Sequence, residues 1–231
     1  MPVLNNLKGL KKTVKSIQNQ SLNNFEVWII DGGSKTKTQE YLKTLRPPFN
    51  YISEKDKGIY NAMNKGVLRS KGKWLYFLGS GDLLASNWVI ENLSKELDLK
   101  FDLIIGEISY CFKTISKNFK SKWSSIMWVK NTVHHQSIFY NKTIFNENLY
   151  NTNYKILSDY DFNLSLFANK SKVKTVSTVI ALCEPYGVSK NYNWSLYKEE
   201  ILLKTNNSII FLKPIFSIIA LLKFLIRKIA G

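Results

Sequence analysis

Apolar residues at Leu7, Leu10, Val14 and Ile17 recur at helical intervals with lysines between them, which predicts a first helix with one buried face. Val27 to Ile30 is a short uninterrupted apolar run and Trp74 to Leu78 is a second, each read as a buried strand of a parallel sheet. Between them, Tyr51-Ile52 after Pro47-Pro48 predicts a short strand. Ile59, Met63 and Val67 then predict the buried side of a helix that Gly58 lets the chain turn into. Further on, Ser86 before Trp88, Val89 and Leu93 predicts a capped helix, and Asp102 to Ser109 a strand. Leu157 to Phe167 reads as a helix, Val173 to Leu182 as a β-branched strand and Asn193 to Asn206 as another helix. From 110 to 130 the pattern weakens, and Trp123, Met127 and Trp128 there are read as core packing. Strands alternating with helices define an α/β chain.

After residue 207 the chain changes character. Ile209 to Ile229 is mostly apolar, yet Lys213, Ser217, Lys223 and Arg227 share one side of a helical wheel. A helix begun at Pro214 would be about 25 Å long at 1.5 Å per residue, short of a bilayer core of about 30 Å. The pattern predicts a helix lying in a membrane surface, with Lys223 and Arg227 reaching toward lipid phosphates. The expected division is therefore a domain at 1–207 and a membrane-associating tail at 208–231.

Chemistry gathers where the strands end. Asp31-Gly32-Gly33-Ser34 follows one apolar run and Gly79-Ser80-Gly81-Asp82 follows the other, while Asp56 stands at the mouth of the helix that Gly58 opens. In open α/β sheets ligands bind beyond the carboxyl ends of the strands, and a helix mouth favours anionic groups. Three acids are thus delivered toward one edge.

These pieces appear in a fixed order with Asn5 to Gln20 before them, and with His135-Gln136, Ser158-Asp159-Tyr160-Asp161 and Gly187-Val188-Ser189 after them. The set resembles the family 2 glycosyltransferases. Its most specific part is Asp56-x-Gly58-x-Tyr60-Asn61-Ala62-x-Asn64-x-Gly66. The resemblance implies an A-type glycosyltransferase fold, a mostly parallel Rossmann-like sheet flanked by helices. Only Met1-Pro2-Val3-Leu4 precede the first helical segment, so the first strand is expected to be shortened. The implied reaction is inverting transfer of a sugar from a nucleotide sugar, UDP-linked by preference, to a lipid-diphosphate-linked glycan or saccharide in the synthesis of a bacterial surface polysaccharide.

By the same resemblance Asn5, Asp31, Gly33, Ser34, Asp56, Gly58, Asn64, Lys65 and Ser80 belong to the nucleotide-sugar pocket. Asp82 would hold a divalent ion, Mg²⁺ or Mn²⁺, because such an ion keeps several waters and takes phosphate oxygens, so one carboxylate can suffice. Asp159 would be the catalytic base, and His135, Gln136 and Ser189 would line the acceptor or phosphate side. Two departures from the family stand out: the shortened first strand, which is the more serious, and the loop after Ser34, where Lys35-Thr36-Lys37-Thr38 stands in place of the Thr-Asp-Gly-Thr that relatives carry. They keep a catalytically degenerate nucleotide-binding or membrane-scaffolding relative in view, and a nucleotidyltransferase is a further alternative because such enzymes can present nucleotides on a related α/β sheet.

Composition narrows the setting. A formal charge of +16, almost all lysine, suits an anionic membrane face. Nucleic acid is excluded as a partner because no zinc-finger spacing, RNA-binding aromatic motif or recognition-helix pattern accompanies the lysines. With 231 residues and 45% hydrophobic content the chain fits one large α/β domain plus an appendage. Cys111 and Cys183 lack metal or redox spacing and are expected to be buried free thiols. Met1 to Gln20 lacks the apolar core of a secretory signal, so a cytoplasmic protein, peripheral on the inner face of the membrane, is expected. The oligomeric state stays open.

Overall fold

The computed structural model describes residues 1–111, 116–184 and 192–230. The chain divides into two compact units: Met1–Ser121, His134–Tyr150 and Lys172–Pro185 form one, and Lys122–Val133, Asn151–Ser171 and Tyr186–Gly231 form the other.

The first unit begins with β1 (Pro2–Val3), α1 (Leu7–Gln18), β2 (Val27–Asp31), α2 (Thr36–Thr44), β3 (Phe49–Ser53) and α3 (Ile59–Arg69). β1, β2 and β3 form a parallel sheet in which Val3 lies opposite Asp31 and Asp31 opposite Ser53, so their carboxyl ends share one edge. β4 (Trp74–Tyr76), β5 (Leu83–Leu84), α4 (Val89–Ser94), β6 (Leu103–Cys111), β7 (Ser116–Lys120), β8 (Ile138–Asn141) and β9 (Val173–Cys183) complete the unit. The second sheet runs β4-β8-β6-β9-β5 with β7 beside β6, and among the described residues only β6 and β9 pair in parallel in it. Leu10, Val14, Ile29, Ile104 and Ile180 lie in one continuous core, because the apolar stripe of α1 covers strands that are buried on the same face. A cavity of about 600 Å³ lies against β2, α3 and β4, lined by Trp28, Ile30, Met63, Val67, Leu75 and Phe139 among others.

Several local expectations are corrected. β4 is a strand, but it pairs antiparallel with β8, since an apolar run reports burial and not direction. Thr36 to Thr38 is not loop: Thr36 opens α2, whose buried side is only Thr38 and Leu42, too narrow a stripe to read from the sequence. Ile59 is 50% exposed, and Tyr60 takes its place in the core. α4 starts at Val89, with Ser86 Oγ accepting from the Trp88 N–H at 3.3 Å ahead of it. Cys183 is buried, but Cys111 is exposed at the end of its strand.

The second unit is helical: α5 (Ser158–Ala168), α6 (Trp194–Asn206) and α7 (Lys213–Ala230). Asn193 caps α6 by accepting from the Leu196 N–H at 3.1 Å. The Glu199 carboxylate accepts from the backbone of Lys155, Ile156 and Leu157 at 2.8, 3.0 and 3.1 Å, which fixes the approach to α5. Met127 is fully buried, Trp123 meets Phe167 edge-on and Trp128 stacks on Phe216, so these residues are core. Among the described residues no helix is long and apolar enough to cross a membrane. The orientation expected for α7 is corrected. Lys223 is ion-paired with Glu200, and the Arg227 guanidinium lies 3.5 Å from the centre of the Tyr192 ring, so these two side chains engage protein.

Candidate active site

The edge where β1, β2 and β3 end is tied into a single rim by short bonds. The Asp31 carboxylate is fully buried and accepts from the Ser34 N–H at 3.1 and 3.2 Å and from Ser53 Oγ at 2.6 Å. It therefore orders the Gly32-Gly33-Ser34 turn, in which Gly33 has φ +86°, a backbone conformation that a side chain would strain. Asp56 is brought against that turn: a Cβ at Gly32 would sit 3.2 Å from Asp56 Oδ2. Lys65 holds Asp56 at 2.6 Å and Glu54 at 2.7 Å, which raises the Lys65 pKa through its bonds to Asp56 and then Glu54. Gly58 opens α3 with no neighbour near its Cβ position.

Asn5 and Asn6 join this turn to the loop after β4. The Asn5 N–H donates to Ser34 Oγ at 2.7 Å and its Oδ1 accepts from the Lys35 N–H at 2.9 Å. Asn5 adopts φ +52°, an uncommon backbone for a residue with a side chain. Asn6 turns the other way: its Nδ2 donates to the Ser80 carbonyl at 2.9 Å, and its Oδ1 caps α1 through the Gly9 N–H at 3.0 Å. Thr13 Oγ1 accepts from the Gly81 N–H at 2.9 Å. The strap ties the loop carrying Asp82 to the loop carrying Asp31.

Asp82 completes the rim. Gln136 donates its side-chain amide to Oδ2, and the Glu184 N–H donates to Oδ1 at 3.2 Å. Burial pushes the Asp82 carboxyl up to about 6, and the Glu184 N–H, the charge on His135 and the Gln136 bond hold it partly back. The Glu184 carboxyl stands near the same loop, 3.8 Å from a Cβ built on Gly81. An oxygen-rich pair, one carboxylate half-buried and one exposed, suits a hard divalent ion that takes its other ligands from water and phosphate. Among the described residues no group of three or more His, Cys, Asp or Glu gathers, so this pair would need such outside ligands.

The structure thus brings Asn5, Asp31, Gly33, Ser34, Asp56, Lys65, Ser80, Asp82 and Gln136 to connected positions on one edge. Asn64 behaves otherwise: it is buried, and its amide clasps Tyr150, donating to the carbonyl at 2.8 Å and accepting from the N–H at 3.0 Å. His135 stacks on His134 beside Gln136. Asp159 lies in the first turn of α5, in the second unit. Its neighbour Asp161 is raised to about 6 by burial and accepts from Asn207 Nδ2 at 2.8 Å. Gly187, Val188 and Ser189 lie outside the described residues. Asn6 and Glu184 join the site as well. Asn6 carried a signal, a helix cap followed by Gly9, but Glu184 carried none, because it reaches Asp82 only through the pairing of β9 with β5.

Residues 1–166 match the family described as Glycosyl transferase family 2. A PGL/p-HBAD biosynthesis glycosyltransferase of Mycobacterium bovis is 28% identical over 204 residues, covering 83% of this chain and 77% of that protein. An uncharacterised glycosyltransferase of Mycobacterium tuberculosis is 39% identical over 98 residues, 42% of this chain and 37% of its own. Among solved structures, S. aureus TarS 1-349 in complex with UDP-GlcNAc superposes with a TM-score of 0.72 at 16% identity over 89% of this chain, which spans 64% of the TarS length. The mannosyltransferase PcManGT from Pyrobaculum calidifontis, in complex with GDP-Man and Mn²⁺, gives a TM-score of 0.61 at 13% identity, covering all of this chain and 74% of that one.

Proposed function

The chain belongs to glycosyl transferase family 2 and has the A-type glycosyltransferase fold, and from that premise we propose that it transfers a sugar from a nucleotide sugar, with inversion, to a lipid-diphosphate-linked glycan or saccharide acceptor. The observation that carries this reading is the continuous rim from Asp56 through the Asp31 turn, Asn5 and Asn6 to Asp82. Such a rim can present a nucleoside site and a diphosphate site at a fixed separation.

In this mechanism Asp56 and the turn ordered by Asp31 take the nucleoside. Gly33, Ser34, Gly58 and Lys65 shape that pocket. Asp82, with Glu184 beside it, would hold a divalent ion, Mg²⁺ or Mn²⁺. When bound, the ion supplies positive charge to the diphosphate that leaves. Asp159 accepts the proton of the acceptor hydroxyl as its oxygen forms the new bond to the anomeric carbon and the bond from that carbon to the diphosphate breaks. TarS and PcManGT, in complex with UDP-GlcNAc and GDP-Man, support a nucleotide-sugar donor, and a UDP-linked sugar is preferred. The setting is a bacterial surface polysaccharide assembled on the inner face of the cytoplasmic membrane, where a strongly basic protein is held near anionic lipid.

Release of nucleoside diphosphate from a UDP-sugar in the presence of Mn²⁺ tests the reading directly, and release of pyrophosphate would assign a nucleotidyltransferase instead. Asp159→Asn should lower turnover by about 10²- to 10⁴-fold while calorimetry still shows UDP and Mn²⁺ binding. Equal loss of both makes Asp159 structural. Binding without turnover in the unmodified chain marks a degenerate relative.

A further inference from the structure

Two charged side chains of α7, Lys223 and Arg227, are engaged by protein partners. Phe216 and Ala220 are buried, Phe224 meets Trp194 and Tyr197 edge-on at 5.3 and 5.7 Å, Lys223 bonds Glu200 and the Val129 carbonyl, and Arg227 covers Tyr192. The opposite face carries Ile215, Ile218, Leu222, Leu225, Ile226 and Ile229, between 45% and 87% exposed, at spacings that place them on one side of the helix. Phe211, 85% exposed, extends the apolar surface ahead of the helix.

A soluble helix places charge where α7 places these side chains, and an exposed apolar patch of this kind marks an interaction surface. The residue types choose the occupant. Protein interfaces are anchored by Trp, Tyr and Arg in pockets, whereas this face is a convex row of aliphatic side chains with no hydrogen-bonding group, which matches acyl chains. Charge agrees: exposed Lys213 and Lys228 stand at the two ends of the helix, and the whole chain carries +16, so an anionic surface is attracted. An 18-residue helix lies along such a surface without crossing it.

We propose that α7 docks the protein on an anionic lipid surface through its aliphatic face, with Lys223 and Arg227 held by the protein and not by headgroups. This rests on the membrane setting proposed above and adds how the contact is made. Burial of the aliphatic row supplies most of the affinity, and the lysines add a smaller, salt-sensitive share.

The test is co-flotation of the full chain with vesicles of mixed phosphatidylglycerol and phosphatidylcholine. Ile218→Asp with Leu222→Asp should weaken binding by at least about tenfold while UDP-sugar hydrolysis and the circular dichroism spectrum stay as in the unmodified chain. Arg227→Gln should bind as the unmodified chain does, and raised salt should leave most of the binding in place. Loss of binding in Arg227→Gln, or retention in the double variant, overturns the docking mode while the membrane setting stands. If the unmodified chain ignores vesicles, the membrane setting itself fails. A dimer in sedimentation that the double variant dissolves assigns the face to a second copy of the chain.

Discussion

Gln136 donates its side-chain amide to Asp82, a half-buried carboxyl raised to about 6, chiefly by desolvation. Because the folded value is raised above the ordinary 3.8, the contribution of Asp82 to stability is fully present below that value and lost as pH rises through about 6. The Gln136 bond offsets part of the loss by favouring the ionised form. In chelator, Gln136→Leu should therefore destabilise the protein by about 1–3 kcal/mol at pH 7 and by less at pH 4.5, where Asp82 is protonated. Denaturant melts at the two pH values measure this, and equal losses would show that the bond does not discriminate charge.

The strap formed by Asn6 is sensitive to a single methyl. A Cβ at Gly9 would stand 2.4 Å from Asn6 Nδ2, so Gly9→Ala must push the Asn6 side chain off the Ser80 carbonyl. Alanine would ordinarily favour a helix by up to about 1 kcal/mol over glycine, so a net loss of stability in Gly9→Ala identifies the displaced strap. Asn6→Ala removes cap and strap together and should cost about 1–2 kcal/mol in urea unfolding. A more stable Gly9→Ala would mean that the strap carries little.

Asn64 holds both backbone groups of Tyr150, 86 positions away. Asn64→Leu removes both hydrogen bonds to the buried Tyr150 backbone and should cost about 2–5 kcal/mol, larger than most single substitutions. Thermal unfolding monitored by circular dichroism reads it. A change below about 1 kcal/mol would show that the Tyr150 backbone finds other partners.

Glu200 lies between two lysines. Lys204 is buried, its ammonium 2.6 Å from Glu200, and burial lowers its pKa despite that partner. Removing the carboxylate leaves a buried cation uncompensated, so Glu200→Ala should destabilise by about 3–5 kcal/mol. Glu200→Ala with Lys204→Met should recover much of that loss in a double-mutant cycle, and failure to recover would place the cost in Lys223 instead.

The sequence by itself determined the order of most elements and the stations of the acids. Its apolar runs and helical stripes are local patterns, and Asp31, Asp56 and Asp82 follow strand ends and helix mouths that can be read within a few residues. It did not determine strand direction at β4 or the helix over Thr36–Thr44, where the local signal is a bare run or a stripe of two. Tertiary structure alone decided which side chains share a site. Gln136 reaches Asp82 across 54 positions and the Glu184 N–H reaches it across 102, and no local periodicity encodes a contact between residues that far apart. It also decided which way α7 faces. A helical wheel shows that Lys223 and Arg227 share a side, but only the packed partners Glu200 and Tyr192 turn that side toward protein and leave the aliphatic row exposed.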